Sequence, residues 1–157
     1  MKELTLKNFE EAAQLVKNVT LPTNLEYSES LSSKTGGKIY LKPENMQYTG
    51  AYKVRGAYYK IATLTDEQRA KGLITASAGN HAQGVAYACR KMQVKGAIFM
   101  PTTTPAQKVK QVRLFGKEWI EIHLVGDTYD DAYYASKEYQ TLTNAIFVHP
   151  FDDLQVI

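Results

Sequence analysis

Apolar residues recur along this chain in two rhythms, short continuous runs and stripes spaced three and four apart, and the way they alternate predicts the architecture. Phe9, Ala12, Ala13, Leu15 and Val16 form the first helical stripe, predicting a helix over 8–18. An irregular stretch follows from Leu21-Pro22-Thr23 to Thr35-Gly36-Gly37 and leads into a strand over 38–42. Pro43 ends that strand because it has no amide proton for a ladder. From Lys53 onward the rhythms take turns: helix 53–64, strand 73–76, helix 81–92, strand 97–100, helix 105–115, strand 119–125, helix 129–141 and strand 145–149. Thr104 ahead of Pro105 reads as an N-cap with proline in the first turn, and Asp127 or Thr128 as the cap of the helix from Tyr129. Strands and helices joined by short connections read as right-handed βαβ units. The fold class expected is α/β, a parallel, doubly wound sheet between layers of helices. There is no internal repeat, low-complexity tract or linker to divide it.

Composition narrows the function classes. The 157 residues carry 19 Lys and Arg against 16 Asp and Glu, with the signs interspersed, so no basic patch for nucleic acid is expected. No apolar run reaches membrane-spanning length, and Met1-Lys2-Glu3-Leu4-Thr5 lacks the apolar core of a signal peptide. Cys89 is the only cysteine, which excludes an intrachain disulfide and fits a reducing, cytoplasmic setting. It sits on a helix among Val85, Ala86, Ala88 and Met92, a packing position. His81, His123 and His149 stand at no metal-ligand spacing, so no metal is expected. His123 alternates within a strand as a partly buried structural residue. Asp130-Asp131 at a helix start complements the helix dipole.

Two segments carry candidate chemistry. In Leu73-Ile74-Thr75-Ala76-Ser77-Ala78-Gly79-Asn80-His81-Ala82-Gln83-Gly84 a buried strand runs through a turn of small residues straight into a helix. Such turns lie at the carboxyl ends of parallel strands, where ligands collect. The first amides of the helix lack acceptors and carry the positive end of its dipole, so a carboxylate or phosphate finds donors there. Ser77 and Asn80 add side-chain groups, and Gly79 allows close approach or a positive φ. On composition alone the segment also fits an ordinary capped turn. Gly79 and Gly84 do not make the GxGxxG spacing of a dinucleotide site. The second segment, Thr49-Gly50-Ala51-Tyr52-Lys53-Val54-Arg55-Gly56-Ala57, puts Lys53 at a helix start. The dipole there opposes the ammonium and favours the neutral amine that Schiff-base chemistry needs. Tyr52 could offer a flat face to a heteroaromatic ring. Arg55 either adds positive charge nearby or pairs with an acidic residue, and Glu44 could approach the site. By spacing alone, Lys53 equally suits a solvated helix surface.

Lys42-Pro43-Glu44-Asn45-Met46-Gln47 through Ala57, followed by Ser77 to Gly84, resembles the threonine dehydratase family of fold-type-II pyridoxal-phosphate enzymes. The resemblance continues through Phe99-Met100-Pro101, Lys108 to Phe115, Gly126-Asp127-Thr128-Tyr129-Asp130-Asp131 and His149-Pro150-Phe151-Asp152-Asp153. It implies pyridoxal 5'-phosphate as cofactor, bound by Lys53, with Tyr52 packed beside the ring and Asn80 on its phenolic oxygen. Ser77, Gly79, Asn80 and His81 would hold the substrate carboxylate, largely through backbone amides. Lys53 would remove the α-proton of threonine or serine, giving a 2-oxo acid and ammonia. The same resemblance implies a lyase of amino-acid metabolism (isoleucine biosynthesis), acting as a homo-oligomer, dimer or tetramer, in the cytoplasm. It assigns 1–52 to the larger cofactor domain, 53–149 to the smaller βαβ-rich domain and 150–157 to the return.

Four departures qualify that expectation. Ala78 stands where related serine racemases carry an acid/base serine, which leans toward elimination. Ala51 replaces a serine common ahead of the aromatic, and Asp152-Asp153-Leu154 differs from the usual acidic-proline ending. No glycine-rich phosphate loop occurs in the 157 residues, so this chain alone is expected to bind cofactor weakly and turn over little. Two other outcomes remain: a non-catalytic α/β module that binds a small anion, and a serine racemase or serine dehydratase relative.

Overall fold

The computed structural model describes residues 4–157, so the reading of Met1, Lys2 and Glu3 lies outside the described residues. The N-terminal third is built of short pieces. Helix α1 (Leu6–Val16) opens with the Asn8 side-chain oxygen accepting from the Thr5 amide and hydroxyl, at 2.9 and 2.8 Å. It starts and ends two residues earlier than its apolar stripe suggests. The strand expected over 38–42 is only β2 (Tyr40–Leu41), antiparallel to β1 (Glu26–Tyr27). Between them lies helix α2 (Glu29–Thr35), which the apolar pattern does not announce. Ser28 caps its start, and Gly36 at φ 71° ends it in the left-handed region that favours glycine.

The remainder follows the expected alternation: α3 (Lys53–Ala62), α4 (Asp66–Ala70), β3 (Leu73–Ala76), α5 (Asn80–Met92), β4 (Gly96–Met100), α6 (Ala106–Gly116), β5 (Ile120–Leu124), α7 (Tyr129–Thr143) and β6 (Ile146–Phe147). Helix α4 was not expected. It is one turn held by a reciprocal Thr65–Gln68 box, with bonds of 2.9 and 3.2 Å. Thr128 caps α7 through the same device, accepting from the Asp131 amide at 3.2 Å while Asp131 Oδ2 accepts from the Thr128 amide at 2.9 Å. Thr104 does not cap α6. Pro105 takes the cap position with extended ψ of 133°, which turns the Thr104 hydroxyl away into a buried position with no partner among the described residues.

The four-stranded sheet has the order β5-β4-β3-β6 and all its pairs are parallel. Every residue of β3 and β4 is buried, as strands covered on both faces must be. Side-chain alternation splits the core into layers. Ile74, Ala76, Ala97 and Phe99 pack on Ala132 of α7, whereas Leu73, Ile98 and Met100 pack on α3, α5 and α6. Chain order runs outward from β3 to β4 to β5, and α7 then returns over the opposite face to set β6 on the far side of β3. The order in which strands are added therefore reverses between β3 and β6. A crevice opens at such a reversal, outside the carboxyl ends of the strands.

Candidate functional site

Ser77–His81 and His149–Phe151 leave the carboxyl end of the sheet side by side, one after β3 and the other after β6. Thr75 is fully buried, and its Oγ1 donates to the Val148 carbonyl at 2.8 Å. Ser77 N donates to the Phe99 carbonyl at 3.0 Å, prolonging the β3–β4 ladder into the loop. Ser77 Oγ accepts from the Gly79 amide at 3.3 Å and thus holds the turn. Gly79 caps α5 with φ −133° and ψ −142°, so it does not use the positive φ that glycine permits. What it supplies is room, since a Cβ there would meet no atom within 4 Å. The first amides of α5 are therefore left open on the Gly79 side, where a helix start offers donors.

Lys53 reaches the same place from α3. Its Nζ donates to the Pro150 carbonyl at 2.7 Å and lies 5.6 Å from the Phe151 ring centroid. The amine is thus half-buried against a neutral acceptor rather than a carboxylate. Lys60, two turns along α3, contrasts with it, forming an ion pair with Asp153 at 2.9 Å. Gly84 of α5 packs on the Lys53 backbone, which brings the two helices close. A Cβ on Gly84 would lie 3.0 Å from the Lys53 carbonyl oxygen.

His81 is buried, with 2 % of its surface exposed. Its Nε2 lies 3.0 Å from the Val148 carbonyl, so that nitrogen carries the proton and donates. Nδ1 is left bare and has no hydrogen-bond partner among the described residues. Burial lowers the His81 pKa to about 4, with smaller contributions from Lys53 and His149, so the ring is neutral near pH 7. His149 Nδ1 accepts from the amides of Phe151 and Asp152 at 3.1 and 2.8 Å, which folds the post-strand segment over Lys53.

The structure thus brings together Lys53, Ser77, Gly79 and His81. Asn80 opens α5 beside them and Tyr52 precedes Lys53; both are exposed, and neither side chain makes a hydrogen bond among the described residues. Arg55 and Glu44 belong elsewhere. They form a two-pronged ion pair, Nε to Oε2 at 2.7 Å and Nη2 to Oε1 at 2.8 Å, which fastens the N-terminal segment to α3. The Arg55 guanidinium, aided by the Thr23 hydroxyl, holds the Glu44 carboxyl down at about pKa 2 against the cost of burial. Cys89 of α5 is fully buried against Gly96 of β4, and burial pushes its thiol up to about 12, as suits a packing residue. His123 stacks on Phe99 at 4.5 Å, a packing role too. No group of three potential metal ligands occurs among the described residues, and none of their helices is long and apolar enough to cross a membrane. Sequence reasoning missed Thr75, Gly84 and the Val148 and Pro150 carbonyls. Only Gly84, a small residue one turn after Asn80, left any signal.

Residues 16–157 match the family model described as pyridoxal-phosphate dependent enzyme. The chain is 44% identical over its full length to the biosynthetic L-threonine dehydratase IlvA of Halalkalibacterium halodurans, covering 38% of that protein. It is 48% identical over 154 residues to the L-threonine ammonia-lyase of Thermotoga maritima, covering 98% of this chain and 38% of that one. Among solved structures it resembles maize serine racemase with TM-score 0.91 and 32% identity, over 99% of this chain and 46% of the other. The chain therefore spans less than two-fifths of the length of these curated relatives.

Proposed function

The chain belongs to the pyridoxal-phosphate dependent enzyme family, and from that premise we propose that it is the N-terminal part of an L-threonine ammonia-lyase converting threonine to 2-oxobutanoate and ammonia. The observation that carries this reading is the Lys53 amine, half-buried on a neutral carbonyl beside the open first turn of α5. The residues present fit the cofactor: a lysine with no carboxylate partner among the described residues, beside a side-chain-free space at Gly79. Bound there, pyridoxal 5'-phosphate supplies an electron sink for the substrate's α-carbon.

The chain's own residues do the rest. Lys53 would hold the cofactor, with Tyr52 beside its ring and Asn80 available to its phenolic oxygen. The loop of Ser77, Gly79, Asn80 and His81 orients the substrate carboxylate on the helix-terminal amides. His81 serves there through its backbone, because its side chain turns toward Val148. Lys53 Nζ, freed when the substrate's amine displaces it, would then take the α-proton. The net change is loss of ammonia from threonine, with the β-hydroxyl leaving as water and one water returning in hydrolysis.

In this reading residues 1–52 belong to the larger cofactor domain, 53–149 form the smaller one, and 150–157 lead back. The protein works in the cytoplasm as a homo-oligomer of two or four copies, in isoleucine biosynthesis, on threonine and serine, with neither nucleic acid nor membrane as partner. The likeness to maize serine racemase favours a second reading, racemisation. Ala78 opposes it, because a methyl group cannot transfer a proton to the other face of the substrate. A third reading, for the 157 residues by themselves, is an anion-binding module without turnover, since they contain no glycine-rich loop.

The test is incubation with L-threonine and excess cofactor while 2-oxobutanoate is followed. Slow release that Lys53→Ala abolishes is expected. Release unchanged in Lys53→Ala, or D-serine formed from L-serine, overturns the reading.

A further inference from the structure

Val148 is the last residue of β6's path to touch the sheet, and its two backbone groups have different partners. Its amide donates to the Ile74 carbonyl at 2.8 Å, continuing the β3–β6 ladder. Its carbonyl accepts from two side chains, Thr75 Oγ1 at 2.8 Å and His81 Nε2 at 3.0 Å. All three residues are buried, so each donor satisfies a lone pair that water does not reach. Two residues on, the Pro150 carbonyl accepts from Lys53 Nζ at 2.7 Å. The link between the two carbonyls is short and stiff: proline fixes φ at Pro150 and restricts the backbone of His149 before it. Where the Val148 carbonyl is held therefore decides where the Pro150 carbonyl stands.

We infer that His81 is a positioning residue: with Thr75 it pins the Val148 carbonyl, and through the His149-Pro150 link it fixes the carbonyl that holds the Lys53 amine. This goes beyond carboxylate binding by the loop's backbone. One imidazole at the start of α5 ties the substrate loop to the reactive lysine, so the two are set relative to each other before any ligand arrives. The inference rests on the proposed function only for Lys53's importance, and its test needs no cofactor.

That test is trace labelling of the chain with acetic anhydride, reading each lysine by peptide mass spectrometry against exposed Lys110. In His81→Phe, which fills the space but cannot donate, Lys53 acylation rises about threefold or more, the scale of one weakened hydrogen bond. His81→Gln, which restores a donor near Nε2, brings it back toward the parental rate. Thr75→Val and Thr75→Ser form a second such pair, and they decide the matter if His81→Phe does not fold. Lys60 and Lys95 keep their parental rates, since they bond to Asp153 and to the Glu118 carbonyl instead. The inference is overturned if Lys53 reacts at the parental rate in the folded variant lacking the donor, if the conservative partner fails to restore it, or if Lys60 and Lys95 rise equally.

Discussion

Gly84 and Lys53 meet backbone to backbone, with a Cβ on the glycine falling 3.0 Å from the lysine's carbonyl oxygen. That approach lets the first turns of α3 and α5 share one crevice. It also explains how a lysine at the start of one helix can serve a loop at the start of another. Gly84→Ala must push the helices apart by tenths of an ångström. A loss of about 1–3 kcal/mol is expected from overpacking, read by chemical denaturation. Lys53 labelling by acetic anhydride should change with it, because the amine leaves the Pro150 carbonyl.

The Arg55–Glu44 pair makes the attachment of the N-terminal segment depend on pH. The Glu44 pKa falls from an ordinary 4.5 to about 2 in the folded chain, so its contribution is fully present above 4.5 and is lost as pH falls toward 2. Glu44→Gln lacks that slope. The parent's melting temperature should therefore drop more steeply than the variant's between these pH values. Near pH 7, Glu44→Gln should cost roughly 1–2 kcal/mol, since one partner of a charged hydrogen bond is removed.

Gly56 does for the C-terminal turn what Gly84 does for α5. A Cβ on Gly56 would fall 1.9 Å from the Val156 carbonyl oxygen, a clash with backbone that cannot rotate away. Gly56→Ala should lift residues 153–157 from α3 and strain the Lys60–Asp153 pair. Hydrogen exchange at the amides of Val156 and Ile157, both bonded to the Asp153 carbonyl, should accelerate by tenfold or more, in line with local opening.

Cys89 fills the space left by Gly96, where a Cβ would fall 2.7 Å from its sulfur. Buried there, with its pKa pushed up to about 12, the thiol should resist alkylation by iodoacetamide at pH 8 in the folded chain. Its modification rate should follow the unfolding transition in urea. Rapid labelling of the native chain would contradict this burial.

What was legible beforehand follows from how strongly each element marks itself. Strand β4 is an unbroken apolar run and β3 is one interrupted only by Thr75, and α5 and α7 are long enough to show a period. Helix α2 has no apolar signature, because Glu-Ser-Leu-Ser-Ser-Lys-Thr has one apolar residue and no stripe, although Ser28 and Gly36 bracket it with proper caps. Helix α4 is shorter than two turns, and β2 is short because its partner β1 has only two residues to pair. In the site, Lys53 and the Ser77–His81 loop stood out through their flanking residues. The carbonyls that organise them did not, since backbone groups leave no mark on the sequence and their partners are fixed only by tertiary packing. The same holds for Arg55. Its charge suited either the site or a carboxylate, and only the chain's path past Glu44 decided between them.

The most direct test of the central claim is to incubate the chain with excess pyridoxal 5'-phosphate, reduce with borohydride and map the modified peptides. The account predicts a pyridoxyl adduct concentrated on Lys53, lost in Lys53→Ala, with exposed lysines such as Lys108 and Lys110 labelled weakly. Adduct spread over surface lysines with no preference for Lys53 would contradict it.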